Sequence, residues 1–289
     1  YDEAEKLYNV HGKRGIDPTE PQINQEYPFP EFSHEPNIQQ VNNSLKDQGF
    51  HPFYQPLAIK INEVNRSLSA CISCDTCDGF PCLIDAKADS DINCIRPAMA
   101  YKNITLITQA KVIRLHTNPS GRVVTGVEAE INNQRQIFSG NIVVLACGAV
   151  NSALLLLKSA NDLHPNGLAN SSNLVGRNYM AHNFAVVMTL NTQLNKTVFP
   201  KTLAITDFYW ENKDFPYPMG SVQLLGGANK DKILAYGPPL MPNLMAEFIA
   251  NHSLSWLLIT EDLPSFNNRV LIRNGKVFLE YTHNNQTAF

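Results

Sequence analysis

The sequence predicts a mixed fold, in which part of an α/β domain is followed by part of an α+β domain with an antiparallel sheet. Two stretches carry this prediction. Residues 142–146 are a purely apolar run that stops at Cys147-Gly148 and leads into a Leu-rich segment, as a strand leads into a helix in an α/β fold. From residue 185 onwards, short strand-like runs alternate with Pro, Gly and Asn turns, which is typical of antiparallel sheets.

The first hundred residues predict a cover or lid and not an independent domain. Spaced prolines across residues 18–36 predict an extended segment that runs over the surface. Residues 37–49 predict an amphipathic helix, with Ile38 on its apolar face and Gly49 as its stop. We therefore expect residues 1–102 to form a covering region that includes a cysteine-rich loop.

That loop holds four cysteines, Cys71, Cys74, Cys77 and Cys82, with a fifth at Cys94. An iron–sulfur site is one interpretation. In the bacterial ferredoxin motif C-x2-C-x2-C-x3-C-P, however, the fourth cysteine comes one residue earlier than here, and the proline follows that cysteine, whereas Pro81 precedes Cys82. A zinc site is another, although two successive two-residue spacings crowd three ligands onto one short turn. Disulfides or free structural thiols are the reading that we favour, so no metal ligand is assigned.

The central stretch predicts strands at residues 104–107, 110–116, 123–131 and 136–145. Asn-Pro-Ser-Gly at residues 118–121 is a strong turn signal, so the second and third of these strands form a hairpin. On the third strand we expect one face to be buried and the other to be wet. The predicted buried residues are Val123, Val127, Ala129 and Ile131, and the predicted wet residues are Glu128, Glu130 and Asn132.

The turn after the apolar run is the candidate site. Asn151 is expected to cap a helix over residues 152–159. A small-residue turn before a helix presents backbone amides to an anion, so we expect this turn to contact a dinucleotide cofactor. The later sequence predicts a helix at residues 241–252 and a hairpin around Asn274-Gly275, with a domain boundary near residue 181.

Several catalytic and binding motifs are absent from the sequence. None of the 15 glycines lies two positions from another, so the G-x-G-x-x-G phosphate fingerprint is missing. There is no H-E-x-x-H or G-x-S-x-G. His182 follows a loop of the kind that lines clefts, whereas Glu261-Asp262 is expected to be a turn and not an acid–base pair. The first residue is not Met, and a strand-like run lies close to the last one, so we expect a central portion of a longer protein.

Composition excludes some functional classes. A net charge of −3 without a basic cluster argues against nucleic-acid binding. No apolar run approaches the roughly 20 residues of a membrane helix, which predicts a soluble protein. The cysteines suit a reducing cytoplasm or an oxidising periplasm equally, so the compartment stays open.

Taken together, these segments resemble the glucose–methanol–choline (GMC) oxidoreductases, which depend on FAD. ITLITQAKVIRL with GRVVTGVEAEI is similar to the family hairpin whose first strand lies against the adenine of FAD. NIVVLACGAVNSALLLLKSA resembles the second family signature, and LVGRNYMAHNF resembles the segment that follows it. YDEAEKLYNVHG, EDLPSFNNRVLI and VFLEYTHNN match other parts of the family. The cysteine-rich loop is similar to that of bacterial sugar or sugar-acid dehydrogenase members.

The resemblance implies an enzyme that oxidises an alcohol, sugar or polyol by hydride transfer to FAD, with an electron acceptor that is not specified. It divides the chain into the cover (1–102), part of the FAD-binding domain (103–181) and part of the substrate-binding domain (182–289). The residues that it assigns to the cofactor are Ala110, Val112, Ala146, Cys147, Gly148 and Ser152. No catalytic residue is assigned, because the family glycine loop and catalytic His have no counterpart here, and the isolated chain is expected to be inactive.

Two alternatives remain at this point. The chain could be a non-catalytic binding or scaffold module built on such a core. It could also be a metal or iron–sulfur protein that uses the loop from Cys71 to Cys82.

Overall fold

The computed structural model describes residues 1–22, 25–74, 77, 80–211, 213–214 and 216–289. It has a mixed α/β architecture whose sheets are all antiparallel within this part of the chain. The elements in chain order are α1 (Asp2–Leu7), β1 (Val10–His11), α2 (Pro36–Asp47), β2 (Phe53–Tyr54), β3 (Leu57–Ala58), α3 (Arg96–Ala98), β4 (Lys111–Thr117), β5 (Val124–Ile131), β6 (Gln134–Phe138), α4 (Gly148–Lys158), β7 (Asn183–Leu190), β8 (Leu203–Ile205), β9 (Ser221–Leu224), α5 (Lys230–Tyr236), α6 (Asn243–His252), β10 (Ser253–Thr260), β11 (Arg269–Arg273) and β12 (Lys276–Glu280). A 3₁₀ turn at Arg66–Leu68 and a π-helical turn at Asp91–Ile95 complete the set.

The chain forms two compact units. The first combines Tyr1–Ile104, Asn183–Glu261 and Thr287–Phe289, and the second combines Thr105–His182 and Asp262–Gln286. The functional division into cover, FAD-binding and substrate-binding parts stays a prediction, because compactness does not tell what each part binds.

A five-stranded sheet, in the order β2-β8-β9-β10-β7, forms the centre of the first unit. One of its faces packs against α2, where Ile38 and Leu203 are fully buried. The predicted amphipathic helix is thereby confirmed, and Gly49 follows it with a φ of +87°. Because β2 pairs with β8, the N-terminal region contributes an edge strand to this sheet. A second cluster, which includes Phe32, packs residues of the N-terminal region together around Cys71.

The second unit contains a three-stranded sheet (β4-β5-β6), the β11–β12 hairpin and α4. The predicted hairpin of β4 and β5 is confirmed, and Asn118 in its turn accepts hydrogen bonds from Ser120 and Arg122. The Asn-Gly hairpin is also confirmed, with φ of 50° at Asn274 and 73° at Gly275. Leu115, Leu155 and Leu168 form the core of this unit.

One predicted strand is wrong and another is only partly confirmed. No strand forms at residues 104–107. Of the strand predicted at 136–145, residues 136–138 belong to β6, whereas residues 139–145 form no strand. In residues 142–145, Val143 and Leu145 pack on the core, while Ile142 is 84% exposed. An apolar run alone does not make a strand, because a strand also needs a hydrogen-bonding neighbour. No strand among the described residues lies alongside this segment.

The predicted burial of β5 is wrong for Val123 and for Glu128. Val123, predicted to be buried, lies outside the strand and is 56% exposed. Glu128, predicted to be wet, is buried because it forms ion pairs with His116 and Arg135. An alternating pattern places charged residues on the solvent face only if they have no partner in the fold. Glu128 has two partners and is therefore buried.

Candidate functional site

The candidate site is the turn at the beginning of α4. Gly148 has a φ of +77°, a conformation that glycine adopts without steric cost. A Cβ atom placed on Gly148 would meet no heavy atom within 4 Å, so the turn opens onto free space. The residues Ala146, Cys147 and Ala149 around it are exposed. The turn therefore presents backbone and small side chains to whatever approaches the helix N-terminus.

The helix begins earlier than the sequence predicted. Cys147, and not Asn151, occupies the N-cap position, and Asn151 lies exposed inside the helix. Asn151 was a reasonable candidate by residue type, but the left-handed glycine redirects the chain before it and lets Ala149 and Val150 join the helix.

Ser152 holds the turn in place. Its Oγ accepts a hydrogen bond from the backbone N–H of Cys147, with an N···O distance of 3.2 Å. This contact brings two of the predicted cofactor residues together. It also means that the Cys147 amide is already engaged, so an anion at this turn would use the amides that follow it.

The other two predicted cofactor residues lie on a different element of the same unit. Ala110 directly precedes β4 and is half-buried, and Val112 on β4 is 40% exposed. The pairing of β4 with β5 shifts register between Val112 and Arg114. Because β4 is the outer strand of its sheet, its second edge has no strand neighbour among the described residues. The Leu115 N–H of β4 already donates to Ser159, so a ligand at this edge would use the peptide groups nearer Ala110 and Val112.

A buried hydroxyl ties β4 to the far end of α4. Ser159 is fully buried, and its Oγ accepts from the Leu115 N–H at 2.9 Å while donating to the Leu155 carbonyl at 2.6 Å. Ser159 was not among the residues predicted from the sequence. Its position, four residues after Leu155, places it on the apolar stripe of the helix, and that periodicity was the available signal.

Glu128 was predicted only to face solvent, but in the structure it is the centre of an ion-pair cluster. Its Oε2 lies 2.9 Å from His116 Nε2, and its Oε1 accepts from Arg135 at 2.9 Å. The hydrogen bond with His116, together with the Arg135 guanidinium, lowers the pKa of Glu128. Pairing on both carboxylate oxygens makes this a fixed structural group and not a free acid or base.

Cys71, Cys77, Cys82, Cys94 and Cys147 are free thiols. Cys71 is buried, and Cys77 and Cys82 pack against the cluster that contains it. Burial raises the pKa of Cys77. At Cys82 burial also acts to raise the pKa, but backbone N–H groups, among them that of Ala86 at 3.3 Å, lower it overall. Residues 75, 76, 78 and 79 of this loop lie outside the described residues, and the described part of the chain contains no group of ligating side chains that could hold a metal ion.

The remaining candidates lie elsewhere. His182 is exposed. Asp262 is buried and accepts hydrogen bonds from Tyr281 at 2.7 Å and from the Ala181 N–H at 3.0 Å. Asp262 was expected to lie in a simple turn, but it joins the segment after residue 260 to Tyr281 and Ala181.

This geometry combines an exposed glycine turn at a helix N-terminus with an open strand edge, an arrangement suited to an elongated anionic ligand. The family model of the GMC oxidoreductases matches residues 42–184, which include both features. The chain belongs to the GMC oxidoreductase family.

Curated relatives of this GMC chain include oxidoreductases of bacteria. It is 30% identical over 169 residues to the 6'''-hydroxyparomomycin C oxidase of Streptomyces lividus, which covers 58% of this chain and 29% of the relative. It is 34% identical over 131 residues to the paromamine 6'-oxidase of Streptomyces fradiae, covering 45% of this chain and 24% of the relative. Identity to the gluconate 2-dehydrogenase flavoprotein of Pantoea cypripedii is 23% over 240 residues, covering 75% and 39%.

The chain thus spans less than a third of the length of the first two relatives. No helix among the described residues has both the length and the apolar character that crossing a lipid bilayer requires.

Proposed function

We propose that this chain is part of a FAD-dependent oxidoreductase that oxidises an alcohol, sugar or polyol at a CH–OH group. The observation that carries the proposal is the open glycine turn at Gly148, which lies inside the segment matched by the GMC family. When bound, FAD supplies the hydride acceptor, and the protein supplies binding and orientation.

The residues of the turn fit a phosphate-bearing cofactor. Ala146, Gly148 and Ala149 have small or no side chains, so a ligand can approach the backbone closely. The helix that starts at Gly148 has 11 residues, and its N-terminus carries a partial positive charge that favours an anion. Ser152 fixes the Cys147 peptide and so keeps the turn in this conformation.

The edge of β4 fits the adenosine end of the cofactor. Adenine carries a donor and acceptors along its rim, which complement the alternating peptide groups of a strand edge. Ala110 and Val112 would contribute this edge together with modest apolar surface.

Under this proposal, residues 103–181 belong to a FAD-binding domain, residues 182–289 to a substrate-binding domain and residues 1–102 to a cover. The sequence contains no G-x-G-x-x-G and no residue to which we assign proton abstraction. We therefore expect the 289-residue chain alone to bind FAD weakly and to oxidise no substrate.

Equilibrium dialysis of the chain against FAD tests the proposed site. Replacing Cys147 by Trp places a large side chain at the exposed turn and should weaken FAD binding by about tenfold or more. Cys74→Trp is the matched control, because Cys74 is also exposed but belongs to the cysteine-rich loop. Equal FAD affinity of the two variants, or no saturable binding by the unmodified chain, would reject the site.

Activity is a separate measurement. The chain is incubated with FAD, an artificial electron acceptor and gluconate, a substrate class suggested by the name of one relative. No reduction of the acceptor is expected. Turnover that requires added FAD would support the oxidoreductase assignment and overturn the expected inactivity, whereas turnover without any flavin would reject the FAD proposal.

A further inference from the structure

The first unit contains an apolar cavity that lies within residues 182–289, the part of the chain that we propose to bind substrate. It lies on the side of the five-stranded sheet opposite α2, between strands β7 and β10 and the two helices α5 and α6, and its volume is about 460 Å³. Small-molecule sites commonly measure about 300–1,000 Å³. Val186 and Met188 line it from the sheet, and Ile233, Met241 and Ile249 line it from the helical side.

One polar atom in this wall has no role in the protein's own hydrogen bonding. Ser255 on β10 lines the cavity and is 5% exposed, and its Oγ has no hydrogen-bond partner among the described residues. A buried hydroxyl without a partner costs free energy, so such groups are rare unless something else satisfies them. The cavity therefore offers an apolar body with a single hydrogen-bonding point.

The charged group nearest the cavity is already engaged. Lys232 on α5 lines the cavity, but its Nζ lies 5.0 Å from the centroid of the Phe80 ring, within the range of a cation–π contact. An uncharged ligand suits this environment better than an anion, because burying an ionised group among apolar side chains is costly.

We propose that this cavity binds an uncharged, mainly apolar small molecule that carries one hydroxyl or carbonyl group, and that Ser255 Oγ pairs with that group. Aromatic and medium-chain aliphatic alcohols belong to this class, and because the cavity lies within the proposed substrate-binding domain, this choice of ligand rests on the proposed function. The site is distinct from the FAD turn, since it lies in the first unit and needs no residue of the second.

Two probes that differ by one hydroxyl test the proposal, namely 2-naphthol and naphthalene. Ligand-observed NMR titrations with the full 289-residue chain should give saturable binding of both, with 2-naphthol the tighter. In Ser255→Ala, binding of 2-naphthol should weaken about three- to tenfold, which is the worth of one hydrogen bond, while naphthalene should bind as before.

The neighbouring strand position provides a matched control. Ser253 lies two residues before Ser255 on β10, is equally buried and also has an Oγ without a partner among the described residues, but it does not line the cavity. Ser253→Ala should therefore leave the affinity for both probes unchanged. Equal weakening in the two alanine variants would overturn the assignment of Ser255.

A filling substitution tests the cavity itself. Ala228 lines it from the loop before α5, and Ala228→Phe should abolish binding of both probes while thermal unfolding shows that the variant is folded. The proposal fails if the unmodified chain binds neither probe, or if both still bind to folded Ala228→Phe. Because the assay contains no flavin and measures no turnover, its failure would leave the oxidoreductase proposal untouched.

Discussion

The Nε2 atom of His116 lies 2.9 Å from Oε2 of Glu128, and this contact crosses the β4–β5 hairpin. The other carboxylate oxygen of Glu128 accepts from Arg135 on β6, so one side chain joins all three strands of the sheet. A carboxylate that is buried but hydrogen-bonded on both oxygens favours its ionised form. That preference links the stability of the hairpin to pH.

Glu128 should make unfolding depend on pH in acid. Its pKa in the folded protein is lowered from 4.5, first by the His116 hydrogen bond and then by Arg135. The stabilisation is therefore fully present above about pH 4.5 and is lost as the pH falls through the lower, folded-state pKa. Thermal unfolding midpoints across this range should fall less steeply for Glu128→Gln than for the unmodified chain.

Glu130→Gln, the same change two residues further along β5, is the control for this measurement. It should retain the pH dependence of the unmodified chain. If Glu128→Gln lowers the unfolding midpoint equally at neutral and at acidic pH, the ion pair does not control the pH dependence.

Ser159→Ala should destabilise the chain by about 1–3 kcal/mol, because it leaves the Leu115 N–H buried without its acceptor. Denaturant unfolding measures the change. Ser152→Ala is the comparison, since Ser152 lies on the same helix but accepts from an amide at an exposed turn. A loss for Ser159→Ala no greater than that for Ser152→Ala would contradict the role of Ser159.

Local turn chemistry explains which elements the sequence predicted well. Asn274 and Gly275 have φ values of 50° and 73°, so the predicted Asn-Gly hairpin follows from two residues that tolerate left-handed backbone angles. The glycine turn of the candidate site was recognised for the same reason. Its helix start was misplaced, because the capping preference of Asn151 competes with the geometry that Gly148 imposes.

The features that could not be predicted from the sequence depend on pairing between residues far apart in the chain. Phe53 pairs with Ala204, far away in the chain, and no local pattern announces that an apparent cover contributes a strand to the sheet. Burial of Glu128 likewise depends on partners from two other strands. Residues 142–145 were predicted to be a strand from their apolar run, but such a run carries no information about whether a neighbouring strand is present.

Tyr281 should ionise late in an alkaline titration. Its hydroxyl donates to the Asp262 carboxylate at 2.7 Å, and this hydrogen bond, followed by burial, raises the pKa of Tyr281 from 10.0 to about 12. The stabilising contribution is present below pH 10.0 and is lost as the pH rises towards 12. In an ultraviolet titration, Tyr281→Phe should remove part of the late tyrosinate signal, whereas Tyr236→Phe, at a side chain 91% exposed, should leave the late signal intact.

Gly148→Ala tests whether the candidate turn depends on backbone conformation. A Cβ at this position meets nothing within 4 Å, so any cost arises from the φ of +77° and not from a clash. Left-handed backbone costs a residue with a Cβ about 1–2 kcal/mol, and denaturant unfolding should show a loss of that size. Gly140→Ala, where the added Cβ makes an ordinary 3.4 Å contact and φ is not left-handed, should cost less.

Gly148→Asn separates conformational strain from other effects of adding a side chain. Asn tolerates the left-handed region better than Ala, because its short polar side chain can hydrogen-bond to the local backbone. If strain sets the cost, the Asn variant should be more stable than the Ala variant although its side chain is larger. A loss that grows with side-chain size from Ala to Asn would instead mean that the space around Gly148 is occupied in solution, and the open turn would then be unavailable to a cofactor.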